Sequence, residues 1–181
     1  MTYADATGSA GLSSETSQDI YATALVNAHA LEKQATQLIN RQLERLDSYP
    51  EVAAALRQHL TETENQVDRL QGLMDDVGTN PSAFKDLGTS IVGNVAAMAH
   101  AVMPDEVIKN HLANCAFETS EIATYRSLIA MARATGNDDH VATLQLSLSE
   151  EESTHDKLLG MTEAVTQKFL ALSEEGAGAK R

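Results

Sequence analysis

An intramolecular disulfide is excluded in this chain, because it has one cysteine, Cys115. A lone thiol fits a reducing compartment. There is no tryptophan and only 4% of residues are aromatic, so Leu, Ile, Val, Ala and Met must fill any core. Basic residues are scarce, 13 Lys and Arg against 26 Asp and Glu, for a net charge of −13. That balance argues against nucleic acid or an anionic membrane surface as partner, since both require basic patches, and it suits the attraction of cations. No apolar run approaches the roughly 20 residues of a membrane span. The first residues, Met1 to Gln18, are small and polar, without the apolar stretch of a secretory signal. The expectation is a cytoplasmic protein whose 181 residues form one domain with a sizeable core.

What the chain does have is four glutamates where leucines belong. Glu32, Glu62, Glu118 and Glu151 fall one on each of four long helical stretches. In the first stretch, positions at 4-3 spacing read Leu25, His29, Glu32, Thr36, Ile39, Leu43, Leu46. In the third they read Ile108, His111, Cys115, Glu118, Ile122, Tyr125, Ile129, Ala132. In the fourth they read Leu144, Leu148, Glu151, His155, Leu158. Such spacing defines the face of a helix that seeks a core. The second stretch has the seam Leu56, Leu60, Thr63, Val67, Leu70, Met74, with His59, Glu62 and Gln66 on the neighbouring strip. A carboxylate on a core face needs a partner, because burying it alone is costly.

The pattern predicts an all-α, antiparallel four-helix bundle of the ferritin-like kind. Residues 1–17 read as a flexible arm, 18–172 as the bundle and 173–181 as a flexible tail. Thr16 and Asp19 start helix one, which is expected to run to about Asp47. Ser48, Pro50 and Glu51 read as a capped restart, and helix two is expected to end at Gly78. Pro104, Asp105 and Glu106 open helix three, Gly136 ends it, and Asn137 or Asp138 caps helix four. The short turns make two hairpins. Between them Leu87, Ile91, Val95, Met98 and Val102 sit at helical spacing, which predicts a short extra helix in a long crossover. Its apolar surface also predicts a homodimer contact.

The acids fall at similar heights. Counted from Tyr49, Glu32 lies 17 residues before and Glu62 lies 13 after. Counted from Gly136, Glu118 lies 18 before and Glu151 lies 15 after. Partners within a hairpin therefore differ by roughly 5–6 Å in level. Glu121 follows Glu118 by one turn and His155 follows Glu151 by one turn, so both join the candidate set. Carboxylates with a histidine among them suit iron or manganese, and bundles hold dinuclear centres in this way. The metal ligands expected are Glu32, Glu62, Glu118, Glu121, Glu151 and His155, with His155 as the nitrogen donor. His59, Gln66 and Tyr125 are expected to hydrogen-bond to those ligands. His29, one turn from Glu32, reads as a hydrogen-bond partner of the ligands or an ordinary core histidine, His100 and His111 as structural, Cys115 as a small buried hydrophobe, and Glu150 and Glu152 as solvent-facing.

The motifs resemble the YciF-like family of bacterial, stress-associated ferritin-like proteins. Glu32-Lys33-Gln34 matches that family's Glu-Lys-Gln, and the run from His59 to Gln66 matches His-Leu-x-Glu-Thr-x-x-Gln. The run from Glu118 to Tyr125 matches Glu-x-x-Glu-Ile-Ala-x-Tyr, and Glu150 to Leu158 parallels Glu-Glu-x-Ala-Thr-Asp-x-Lys-Leu. His155 replaces the usual Asp, and Asn65 stands where ferritins and rubrerythrins place a histidine. The resemblance implies a ferritin-like bundle, often dimeric, with a di-metal centre. The functional expectation is a centre of two Fe ions, with Mn as the alternative metal, reacting with O₂ or peroxide in stress protection. The alternative is a non-catalytic, stress-associated structural or interaction dimer that binds metal without turnover or not at all.

Overall fold

A computed structural model describes residues 16–80 and 106–176. Among these residues four long helices form: α1 (Ser17–Leu43), α2 (Pro50–Asp76), α3 (Glu106–Ala134) and α4 (Val141–Glu174). The crossover segment Leu87–Met103, the residues before Thr16 and those after Gly176 lie outside the described residues, as do His100 and the expected dimer contact.

The helix ends follow local chemistry. Thr16 and Asp19 form a reciprocal capping box at the start of α1, as expected. That helix stops at Leu43, short of the expected Asp47. Arg45 N–H turns back to the Gln42 carbonyl at 2.9 Å, and the loop folds Leu46 and Tyr49 into the core. Pro50 takes the first position of α2, but the residue at its cap is Tyr49 rather than Ser48. A residue preceding proline is driven out of helical conformations, so the helix cannot begin earlier. Gly78 and Gly136 both have positive φ, 70° and 76°. At each, a backbone N–H one residue on closes the last turn: Thr79 to Met74 at 2.9 Å and Asn137 to Ala132 at 2.8 Å. Asn137 does not cap α4 directly. Its side chain bonds Thr135 and Gln18, and a 3-10 turn, Asp138–His140, precedes α4.

Neighbours across the bundle run antiparallel, which is read from bonds between helices. Between α1 and α3, Gln18 reaches Thr135, Tyr125 reaches Glu32, and Arg45 reaches Glu106. Between α2 and α4, Lys157 meets Gln58, Gln66 meets Glu151, and Arg69 meets Ser147. Between α3 and α4, His111 meets Thr162 and Arg126 meets Glu152. With α1 also on α2, the ring order is α1, α2, α4, α3. The end of α2 lies beside His140, through Asp76 at 3.7 Å. The start of α3 lies beside Arg45 at the other end. The chain between them therefore connects opposite ends of a bundle about 40 Å long. None of the described helices is long and apolar enough to cross a membrane.

The apolar core is split. One half holds Tyr21, Leu25, Leu70, Met74, Tyr125, Leu128 and Leu144. The other holds Ala35, Ile39, Leu56, Phe117, Leu158 and Val165. On every helix the acidic position falls between its contributions to the two halves. Leu158 is fully buried while its neighbour Leu159 is 54% exposed. Leu158→Ala is expected to cost about 2–5 kcal/mol, and Leu159→Ala no more than about 0.5 kcal/mol. Urea unfolding of the pair checks the register of α4, because Leu158 lies two turns from Glu151. Equal losses would mean the register is wrong.

Candidate metal centre

Every helix sends a buried titratable group into the level between the two core halves. Glu32 comes from α1, His59 from α2, Glu118 and Glu121 from α3, and Glu151 from α4, each no more than 3% exposed. His59, Glu118, Glu121 and Glu151 each offer an atom, and those atoms all lie within 4.8 Å of one another. His59 Nε2 stands 3.2 Å from Glu118 Oε1. Glu32 faces the same group, with its carboxyl against that of Glu121. Its Oε1 accepts a hydrogen bond from the Tyr125 hydroxyl at 2.6 Å.

Hydrogen bonding within the site is incomplete. Glu32 Oε2, Glu118 Oε2, both oxygens of Glu121, Glu151 Oε2 and both ring nitrogens of His59 are buried with no hydrogen-bond partner. Buried polar atoms are normally paired, and each unpaired one requires an explanation. Oxygen-rich donors with a single imidazole fit a hard or borderline cation such as Fe or Mn, and the one thiol is not among them. The residues present therefore fit the metal that the helix pattern implies.

The electrostatics follow from this crowding. Burial raises the Glu121 carboxyl well above the ordinary carboxylate value, and the charges of Glu32, Glu151 and Glu118 raise it further. Burial also raises Glu151, helped by Glu32 and Glu118 and opposed by the Gln66 bond. Glu32 is raised to about 7, chiefly by burial, against the bond from Tyr125. Burial alone would lower His59, but Glu118, Glu32 and Glu62 outweigh it and favour the imidazolium. Burial and the nearby Glu32 keep the Tyr125 phenol protonated, as a donor must be.

A ring of bonds holds these groups from outside. Gln66, fully buried, donates from Nε2 to Glu151 at 2.5 Å and to Glu150 at 3.1 Å. Arg69 grips Glu150 with both terminal nitrogens, at 2.6 and 2.8 Å, and donates to Ser147 Oγ at 3.0 Å. Glu150, expected in solvent, is instead a half-buried link from Arg69 to the centre, while Glu152 pairs on the exposed surface with Arg126.

Three expected ligands are not members of the group of four: Glu32 borders it, and Glu62 and His155 lie away from it. Glu62 is partly exposed at the α2–α4 seam. It accepts from Gln58 at 2.9 Å and Thr154 at 3.3 Å, with Oε2 3.9 Å from His59 Nδ1. His155 is partly exposed and faces Asp156, at 3.3 Å. The cause is a shift of face by one residue. The inward positions of α4 are Leu144, Ser147, Glu151, Thr154 and Leu158, whereas Leu148 and His155 flank them. The nitrogen in the group is thus that of His59, expected only as a hydrogen-bond partner. Gln66 and Tyr125 take up such bonding roles. His29 and His111 are buried, with His111 bonded to Thr162. His140, not singled out from the sequence, is buried 3.0 Å from the Tyr21 hydroxyl. Cys115 is only partly buried.

Fold and site together define a ferritin-like bundle with a buried carboxylate–histidine cluster. The chain belongs to the family described as Domain of unknown function (DUF892), whose model matches residues 16–171. The YciF-like resemblance of the four motifs agrees with that membership. A protein from Xanthomonas campestris shares 26% identity over 88% of this chain and 99% of its own, with a TM-score of 0.73. YcfI of Rhodopseudomonas palustris, described as a putative structural protein, shares 27% over 79% of this chain and 92% of its own, with a TM-score of 0.62. The Escherichia coli stress protein YciF has the same fold, with a TM-score of 0.67, 21% identity, and 82% and 95% covered.

The raised carboxyls set the pH dependence of the metal-free protein. In the unfolded chain these glutamates ionise near 4.5. In the folded protein Glu32, Glu121 and Glu151 hold their protons to higher pH, so folding binds protons and stability falls as pH rises. His59, also raised, contributes stability at low pH that is lost as pH rises through its folded value. All four slopes have the same sign. Chelator-treated protein is expected to melt at progressively lower temperature from about pH 5 to 8. A flat or rising profile would contradict the buried cluster.

Proposed function

We propose that the chain is a dinuclear carboxylate protein, with iron as the metal and manganese as the alternative, reacting with O₂ or peroxide in stress protection. The observation that carries this reading is the set of five buried carboxylate oxygens without donors, packed around His59. Glu32, His59, Glu118, Glu121 and Glu151 are the ligands proposed, with Glu62 the nearest further carboxylate. When bound, the metal supplies the electrons that reduce the oxidant. The chain supplies the rest. Tyr125 fixes the orientation of Glu32, Gln66 fixes that of Glu151, and the two core halves keep bulk water from the centre. The Escherichia coli relative is a stress protein, which supports the setting.

The cytoplasmic location and the homodimer belong to the same proposal. A second reading, a bundle that holds metal without turnover, is favoured by the outer ring. Arg69, Glu150, Gln66 and Tyr125 already bind much of the cluster into place without an oxidant.

Protein purified without chelator is expected to contain metal, to melt higher with Fe(II) or Mn(II), and to consume O₂ or peroxide. Metal without consumption selects the second reading, and no metal in either case refutes both. Glu118→Ala is expected to abolish metal binding, while His155→Ala leaves it intact. Gln66→Leu, which frees Glu151 to turn, is expected to weaken metal affinity about 10–100-fold. Glu121→Leu removes two unpaired buried oxygens. It is expected to lose metal yet stabilise the metal-free bundle by about 1–3 kcal/mol, read by urea unfolding.

A further inference from the structure

A metal ion held by the clustered groups needs a way in, because each of them is no more than 3% exposed. Among the described residues, the α2–α4 side is closed by the bonds of Gln66, Arg69 and Thr154. Apolar core lies on both sides of the polar level. The hairpin seams, α1–α2 and α3–α4, are the most closely packed. A groove on the outside of α1–α2 is lined by Lys33, Thr36 and Glu64 among others and reaches none of the clustered groups. Between α1 and α3, by contrast, lies a cavity of about 30 Å³ whose wall includes His59 and Glu118, two of the proposed ligands. A smaller cavity of about 10 Å³ lies toward the Arg45–Glu106 end. Gln42, Asn110 and Asn114 line both, so the two follow one seam outward.

Polar groups mark this seam. Gln42 and Asn114 form a reciprocal amide pair, each donating to the other, at 2.9 and 2.8 Å. Each amide oxygen accepts one bond there and keeps a second lone pair. Farther out stand the Glu106 carboxylate, which neutralises Arg45 at 2.7 Å, and buried His111, whose Nδ1 has no partner. A water needs about 10–15 Å³, so the inner cavity holds about two. A hydrated divalent ion carries about six oxygens, too many for this space, and must exchange some of them for wall atoms. Amide and carboxylate oxygens are ligands that such ions accept. Water and neutral oxidants fit the same space, but only a cation requires the lone pairs, because stripping its shell without replacement is costly. The net charge of −13 draws cations toward the protein. From these walls we infer that divalent metal ions reach the centre along the α1–α3 seam, from Glu106 and Asn110 past the Gln42–Asn114 amide pair to His59 and Glu118. This rests on the metal-centre reading and adds the route by which the centre is loaded.

A residue on a route changes the rates of loading and release by the same factor and leaves affinity alone, whereas a ligand changes affinity. The test mixes metal-free protein with Mn(II) and follows loss of the free-ion EPR signal. Release is read by transfer to a chromophoric chelator, and affinity by equilibrium titration. Ala113→Phe, at a partly buried position on the inner wall, narrows the seam. It is expected to slow both rates about tenfold, a barrier higher by about 1.4 kcal/mol, with affinity unchanged. Leu38→Ala, on the same wall and also partly buried, widens the seam and is expected to speed both rates. It reads the route even if Ala113→Phe fails to fold. Lys157→Ala, which removes the bond to Gln58 across α2–α4, is expected to change neither rate. Rates indifferent to both wall variants, faster loading in Lys157→Ala, or a changed affinity in place of paired rate changes overturns the route. Uptake at rates indifferent to the seam defeats the route alone, whereas a protein that takes up neither Mn(II) nor Fe(II) defeats the metal centre and the route with it.

Discussion

A surplus of buried negative charge at mid-height is the constraint on which the rest of the bundle depends. Glu32, Glu118, Glu121 and Glu151 converge with one imidazole, His59, to balance them. Without a cation the folded state must hold protons on several of these carboxyls, because unpaired ionised groups are expensive to bury. The residues around the cluster make sense as responses to that surplus. Tyr125 and Gln66 each satisfy one oxygen, and Arg69 brings a guanidinium close enough for Glu32 to raise its pKa while it holds Glu150. They leave oxygens on both α3 glutamates unmatched. That remainder distinguishes the cluster from an ordinary buried polar network, which is normally satisfied throughout, and leaves a group that could hold a cation.

Antiparallel topology makes the convergence possible. Because α1 opposes both α2 and α3, and α4 opposes both as well, groups near the middle of each helix meet at one level. The chain's two-part core follows directly. Leu25, Leu70, Leu128 and Leu144 fill one side of the polar level, and Ile39, Leu56, Phe117 and Leu158 fill the other. The titratable groups between the halves are flanked by apolar core on both sides and are each no more than 3% exposed. The raised pKa values of Glu121 and Glu151 have burial as their first cause for this reason.

Much of this was legible in the residues. Helical periodicity located the long helices, and counting from the turns placed Glu32, Glu118 and Glu151 at one level. The individual face was harder to read. Hydrophobicity favours Leu148 over Ser147 as an inward residue of α4, and with that choice His155 faces the centre. In the structure Ser147 and Thr154 point inward because polar partners await them, Arg69 for Ser147 and Glu62 for Thr154. Small hydroxyl side chains can occupy a core face when a bond satisfies them, and an apolar pattern cannot register that. The same effect hid His59. It shares its strip with Glu62 and Gln66, and only the packing of α2 on α4 decides that His59 and Gln66 turn inward while Glu62 stays at the edge.

The two sides of the centre are therefore unlike. Along the α2–α4 seam Gln58, Glu62, Gln66 and Arg69 each bond across to α4 or to a residue that does. Those bonds fix the ligands and leave little freedom for them to shift. Along α1 and α3 the cross-links named are Gln18–Thr135 at one end, Arg45–Glu106 at the other, and Tyr125–Glu32 and Gln42–Asn114 between them. Below Glu32 the pocket is lined by Ala35, Ile39, Ala113 and Phe117 together with Gln42, Asn110 and Asn114. The centre thus has one seam where direct bonds across to α4 hold Gln66, Glu150 and Glu151 in place, and another where His59 and Glu118 border a small pocket instead of a bonded partner.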